Sequence, residues 1–393
     1  MKKKNHIFLI LIALLFIFVS CTERVERTAE GRLDYSALLR IHKTDAYSLV
    51  EIINPWDTTK LLQKLVLTTD IKQPGLPTEG TKVKVPIERA LIGTTIHCSL
   101  LKDLSCLNSI AAILDREYLC VPEVHEAIDR GEVTDCGTAM APAIERIISV
   151  RPSAIFLSPY EKLELGKLSE LNIPVVLCAD YMESSPLARA EWIRFYGMLF
   201  GVEERADSIF SQTVKEYNRL KAIAEKATSS PKVLSDHAYG QTWYQPSAGS
   251  TVGRMYTDAK AENPFKDIPG HYGSIPLPAE EVFLKARDCD VWLLKDDKPI
   301  SLDALASENK LYSLFAAYKN GNVWTCNTRE TNFYEETPFH PEHLLADMIR
   351  IFHPELKIGG ENRYFFRGSR PLRSLKTTEK PLRSFRKKSL RNL

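Results

Sequence analysis

An α/β protein of two lobes is the fold class the sequence predicts, each lobe a mostly parallel sheet covered by helices, with one long helix between them and a small β appendage at the N-terminus. Three observations predict it. Short apolar strand-like runs alternate with helical patterns over residues 85–179 and resume after residue 231. Between the two blocks, residues 185–226 form the longest stretch with a single helical period. Upstream of both, residues 35–70 hold strand-like runs with no helix among them.

In chain order, residues 1–20 read as a targeting segment, with Lys2, Lys3 and Lys4 ahead of the unbroken apolar run 7–19. That run is too short and too early for an ordinary membrane span. It ends in Phe18-Val19-Ser20-Cys21, which resembles a bacterial lipobox with Phe18 in the place of the usual Leu. The expectation is a lipid on Cys21; an ordinary signal peptide with an incidental cysteine is the other reading. Either way the mature chain lies outside the cytoplasm. Residues 21–34 then form a polar tether, and 35–84 the appendage, with strands around 38–41, 46–53 and 61–68 before the turn signals Pro74-Gly75 and Pro77.

The first lobe is expected over 85–202. Strand-like runs fall at 89–93, 109–114, 154–158 and 173–179, and helices at 97–107, 123–130, 143–150 and 162–171. Ser185 can cap a helix with Pro186 at its first position, and Trp192, Phe195, Tyr196, Leu199 and Phe200 line one side before Gly201 stops it. The interlobe helix is expected over 203–228, with Ala206, Ile209, Phe210, Val214, Tyr217, Leu220 and Ile223 in one stripe. At 1.5 Å per residue, residues 203–226 span roughly 36 Å. The second lobe is expected over 229–367. Its strands fall at 233–237, 290–294 and 323–327, and its helices at 249–261, 279–287, 309–319 and 342–352. Residues 368–393 read as a basic, disordered tail with an imperfect repeat from Pro371 and Pro381.

With 393 residues and 44% hydrophobic content the chain has ample material for real cores. Of its 52 basic and 50 acidic residues, eleven and two respectively fall in 361–393, so residues 1–360 carry a net charge of −7. A mildly acidic body has no electrostatic footprint for nucleic acid. The seven cysteines after Cys21 are scattered and contain no C-x-x-C, so they read as small buried apolar residues and not as a metal centre.

Several segments together resemble the substrate-binding proteins of ABC importers for chelated iron, haem and cobalamin. Ala143-Ile-Glu-Arg-Ile-Ile-Ser-Val-Arg-Pro is similar to that family's L-E-x-I-x-x-L-K-P-D helix and strand. Ala261-Glu-Asn-Pro-Phe-Lys-Asp is similar to its G-G-x-N-x-F segment, and Pro278-Ala-Glu-Glu-Val to S-x-E-x-V. The stretches Pro186-Leu-Ala-Arg-Ala-Glu-Trp and Asn332-Phe-Tyr-Glu look like a Bacteroidetes-type branch. The resemblance covers about residues 85–367. It implies a lipid-anchored, periplasm-facing binder in the cell envelope that delivers a ferric siderophore, haem or cobalamin to an ABC permease dimer with its ATPase. Neither a cofactor nor catalysis is implied. Glu145 and Glu280 match the glutamates that dock on permease arginines.

The ligand is expected between the lobes, in loops after the carboxyl ends of strands. Thr95 and His97, Tyr160 and Tyr181 are the candidates in the first lobe. Trp243, Tyr244 and Gln245, His271 and Tyr272, and Phe333, Tyr334 and Glu336 are those in the second. Clustered aromatics suit the flat faces of a corrin, porphyrin or catecholate chelate. A free metal ion held by His97, His271 and His340 ranks second, because no His-rich loop accompanies the His340-Pro-Glu-His343 pair. An envelope enzyme on the same scaffold is the other alternative. Against it, no G-x-S-x-G, H-E-x-x-H or P-loop occurs, and Ser235-Asp236-His237 lie side by side on one strand and cannot converge as a triad. Without an acidic run after Cys21, the periplasm is favoured over the cell surface.

Overall fold

The computed structural model describes residues 31–269 and 273–368. The expected targeting segment over residues 1–20, Cys21, His271, Tyr272 and the expected tail beyond residue 368 lie outside the described residues. Strands β1 (Leu39–Lys43), β2 (Ser48–Ile53) and β3 (Leu61–Thr68) form an antiparallel meander, and β4 (Thr81–Lys84) joins β3 in parallel. Their inward side chains, among them Val50, Ile52, Leu65 and Val83, share one core with Trp192 and Phe195 of the first lobe. The appendage is therefore packed into that lobe. Two buried glutamates fasten it there. Glu191 accepts hydrogen bonds from the amides of Tyr35 and Ser36 (2.8 Å each), and Glu183 from the amide of Leu38 (3.1 Å) and the indole of Trp192 (3.0 Å). Gln63 adds a strand-like pair, donating to the carbonyl of Val175 (2.6 Å) and accepting from the amide of Leu177 (2.9 Å).

The first lobe runs β5 (Ala90–Ile92), α1 (Ile96–Asp103), β6 (Ile110–Ile113), α2 (Pro122–Asp129), β7 (Thr134–Asp135), β8 (Gly137–Thr138), β9 (Ala141–Pro142), α3 (Ile144–Val150), β10 (Ala154–Leu157) and β11 (Val175–Leu177). Its five-stranded sheet has the order β11-β10-β5-β6-β7 with every pair parallel. The short continuous apolar runs of β5, β6 and β10 are buried throughout, as expected of strands covered on both faces. The helix expected over 162–171 is reduced to a 3-10 turn at Gly166–Leu171. Gly166 (φ +50°) and Asn172 (φ +54°) bound it in left-handed conformations that α-helix cannot continue through.

α4 (Pro186–Phe200) and α5 (Glu203–Ala224) form as the sequence predicts. Ser185 Oγ accepts from the amide of Ala188 at 3.2 Å, and Gly201 ends α4 at φ +71°. A Cβ on Gly197 would lie 2.5 Å from that of Ala206, so glycine is what lets the two helices touch. Along α5, Ala206 and Phe210 belong to the first core, whereas Tyr217, Leu220 and Ala224 belong to the second. One rigid helix is thus rooted in both lobes.

The second lobe comprises β12 (Val233–Ser235), β13 (Thr242–Pro246), α6 (Thr251–Asp258), β14 (Ser274–Pro278), α7 (Ala279–Ala286), β15 (Val291–Asp296), α8 (Leu302–Glu308), α9 (Ala316–Lys319), β16 (Val323–Asn327), α10 (Phe333–Glu336), α11 (Pro341–Phe352) and β17 (Phe366–Arg367). β12, β15 and β16 are parallel and β17 closes the edge antiparallel. β13 and β14 make a separate antiparallel ribbon where the sequence suggested a loop. The helix expected over 309–319 breaks at Phe315, whose extended backbone (φ −65°, ψ 143°) drops the ring among Trp243, Trp292 and Phe283. All seven described cysteines are free thiols, six of them buried. Among the described residues no helix is long and apolar enough to cross a membrane.

Candidate functional site

A cleft of about 550 Å³ opens between the lobes at the carboxyl ends of four strands. The first lobe lines it with Thr94, Thr95 and Ile96 after β5, and with Glu117, Tyr118, Leu119 and Cys120 after β6. The second supplies Asp297 after β15, and Thr328, Arg329, Tyr334 and Glu335 after β16. Local turn chemistry builds these walls. Thr95 Oγ1 donates to the carbonyl of Tyr118 at 3.2 Å, tying the two first-lobe loops together. Across the cleft, Asn327 Oδ1 accepts from the amide of Arg329 at 3.2 Å, and Asn332 at φ +50° turns the chain into α10.

Two tyrosines face into this space from opposite lobes, Tyr118 at 58% and Tyr334 at 55% exposure. Arg329 pairs with Asp297 at 3.6 Å and stays largely exposed. Glu335 is buried, and its Oε2 has no hydrogen-bond partner among the described residues. Burial raises its carboxyl above the ordinary range, although the facing Cys120 partly offsets the rise. Burial and that same carboxylate push the Cys120 thiol up to about 12. Behind Tyr334, Lys295 Nζ contacts both oxygens of Asp236 at 2.8 Å. Burial works against the Lys295 charge, but Asp236 more than offsets it and the pKa is raised.

Of the residues the sequence nominates, the structure brings Thr95 and Tyr334 together in the cleft. His97 is a correction: it is buried and turned into the core. Its Nε2 lies 3.2 Å from Asp180 Oδ1 and 2.9 Å from the Tyr196 hydroxyl, which in turn donates to Asp180 at 3.1 Å. Trp243 and Gln245 are a second correction, since both side chains point into the second lobe from β13. The Trp243 indole donates to the carbonyl of Ser235 at 2.8 Å and the Gln245 amide to the same oxygen at 2.7 Å. Tyr244 is half-exposed on the other face of β13. Tyr160 lines a separate hollow of about 250 Å³ with Met140 and Leu163, and Tyr181 donates its hydroxyl to the carbonyl of Pro159.

Glu336 is engaged by Arg363 (2.6 Å) and Tyr364 (3.2 Å) and lines a neighbouring cavity of about 410 Å³. Phe333 is buried. His340 pairs with Asp103 and Glu342, while His97 is held by Asp180 and Tyr196, so the two described histidines of the group named for a free ion have different partners. Glu145 and Glu280 are exposed in the first turns of α3 and α7. Sequence reasoning missed Tyr118, Cys120, Arg329 and Glu335. The rule that selected Thr95, the loop after a strand's carboxyl end, also selects Tyr118 after β6.

Residues 116–330 match the family model described as periplasmic binding protein. An uncharacterized lipoprotein of Methanocaldococcus jannaschii is 27% identical over 296 residues, covering 72% of this chain and 70% of the relative. Among solved structures, a periplasmic heme binding protein from Pseudomonas aeruginosa superposes with a TM-score of 0.56 at 16% identity, over 72% of this chain and 98% of its own. The siderophore binding protein BauB, solved with two acinetobactin molecules and ferric iron, gives a TM-score of 0.54 at 18% identity, over 69% of this chain and 94% of its own. These two likenesses establish the fold, and the family match spans more than half of the sequence. The chain belongs to the periplasmic binding protein family.

Proposed function

We propose that this protein is a lipid-anchored, periplasm-facing solute-binding protein that captures a metal chelate or corrinoid and hands it to an ABC permease dimer with its ATPase. The observation that carries the proposal is the cleft between the lobes, with Tyr118 and Tyr334 offering aromatic faces from opposite sides. Its volume lies within the usual range for small-molecule sites. The solved relatives that bind haem or a ferric siderophore support the ligand class. A carrier without chemistry also fits the thiols: burial pushes Cys98 and Cys120 up to about 12, far from a nucleophilic thiolate at neutral pH.

The charges favour one part of that ligand class. Glu117 and Asp297 line the cleft beside Arg329, which pairs with Asp297, and burial drives Glu335 toward its neutral form. A neutral or weakly charged chelate suits this lining, and a multiply anionic one does not. Calorimetric titration with cobalamin, haem, a ferric hydroxamate and a ferric catecholate is expected to give saturable binding without turnover, the catecholate being weakest. Binding of none of them, together with hydrolysis of a test ester or peptide, would refute the reading.

Docking is assigned to Glu145 and Glu280. Each is followed one helical turn later by an exposed aliphatic side chain, Ile148 at 54% and Leu284 at 70% exposure. A carboxylate beside an apolar knob on each lobe suits a socket with arginines and a greasy rim. Glu145→Ala with Glu280→Ala is expected to lower uptake severalfold while ligand affinity stays at the wild-type value. Undiminished uptake would remove the assignment.

A further inference from the structure

At the seam between the lobes, beside the 410 Å³ cavity, the start of α11 gathers a second set of ligand-type side chains. His340, Glu342 and His343 each offer one donor atom within 4.8 Å of the other two. Glu342 Oε1 is the hub. It lies 3.2 Å from His340 Nδ1 and 3.7 Å from His343 Nε2. Those separations bracket about 3.4 Å, the edge of a tetrahedron built on metal–ligand bonds of about 2.1 Å. The Glu342 side chain is only 8% exposed, and its Oε2 is buried without a hydrogen-bond partner among the described residues. Oε1 also accepts from the Thr213 hydroxyl at 3.4 Å, whereas Oε2 lacks the partner that its desolvation requires.

His340 is held from the other lobe. Its Nε2 lies 3.0 Å from Asp103 Oδ2 at the end of α1, leaving Nδ1 turned toward Glu342. A carboxylate on the far nitrogen of a ligating imidazole is the arrangement that fixes tautomer and ring plane in metal sites. We propose that His340, Glu342 and His343 bind one divalent transition-metal ion of the zinc class, with Asp103 positioning His340 across the seam. Two imidazoles and one carboxylate leave a fourth position for water, and the donor set selects borderline metals over calcium or magnesium. On binding, His340 gives up any Nδ1 proton to solvent and keeps its Nε2 proton, donated to the Asp103 carboxylate. The adjoining cavity offers the ion a way in, and the partly exposed His343 ring, stacked on His340 at 5.2 Å, turns its Nε2 toward Glu342. Because Asp103 belongs to the first lobe and the three ligands to the second, the site lies on a contact between the lobes, and its cavity shares Cys120 and Glu335 with the cleft.

The test uses the full-length protein in detergent, stripped with EDTA and titrated with Zn²⁺ by calorimetry and with Co²⁺ by absorption. A single Zn²⁺ site and the intense visible bands of four-coordinate cobalt are expected. His343→Ala should lower Zn²⁺ affinity at least hundredfold, and Asp103→Asn tenfold to hundredfold with the cobalt bands retained. His343 is partly exposed, so metal-free His343→Ala should unfold at the wild-type midpoint, which separates lost ligation from lost fold. Unchanged Zn²⁺ affinity in His340→Ala with His343→Ala, or the weak spectrum of six-coordinate cobalt, overturns the site.

Discussion

Replacing Tyr118 and Tyr334 together with alanine is expected to weaken ligand binding by roughly a hundred- to a thousandfold, because central aromatic contacts are each worth about 2 kcal/mol. Both side chains are more than half exposed in the cleft, so little core packing is lost and stability should stay at the wild-type value. Each single variant should show part of the loss. Tyr160→Ala, which touches a different hollow, should show none. Calorimetric titration of the four variants with one ligand checks the set. Equal losses at Tyr160 and Tyr334 would mean that the ligand lies elsewhere.

Asp180→Ala is expected to destabilise the fold by about 3–5 kcal/mol, the usual cost of breaking a buried charged network by removing one partner. Asp180 and Tyr196 are almost fully buried, and His97, Tyr196 and Arg189 all converge on the Asp180 carboxylate. Burial alone would raise the Asp180 pKa, but the bond from His97, the charge of Arg189 and the Tyr196 hydroxyl hold it below the ordinary value of 3.8. The sign of the pH dependence follows. With the folded-state value lowered, the carboxylate stabilises the protein above the unfolded value, and that contribution disappears as pH falls through the folded one. Urea unfolding at neutral pH should therefore show the full deficit of Asp180→Ala, and the gap from wild type should narrow in acid. A gap that is constant from neutral to strongly acidic pH would mean that packing, not charge, is what the variant loses.

The framework was legible wherever one local rule governed a segment. Continuous apolar runs marked β5, β6 and β10 because parallel strands are buried on both faces. Ser185, Pro186 and Gly201 marked the ends of α4 because capping and left-handed termination are local chemistry. Side-chain direction was not legible in the same way. Thr95 and His97 stand two residues apart at the start of α1, where successive side chains turn about 100°, so one reaches the cleft and the other the core. In β13 the alternation of a strand sends Tyr244 outward and Trp243 and Gln245 inward. Reading that stretch as a loop hid the alternation. The fastening of residues 35–38 by Glu183 and Glu191 was beyond any local pattern, because the partners lie about 150 residues apart and carboxylates are rarely buried.

The central claim is that the ligand lies between the lobes and touches both. Hydrogen–deuterium exchange of the full-length protein, with and without a saturating ligand from the panel, tests it most directly. The account predicts slowed exchange at residues 94–96 and 117–120 in the first lobe and at 328–335 in the second, with little change along α5. Protection confined to one lobe, or centred on the hollow beside Tyr160, would contradict it.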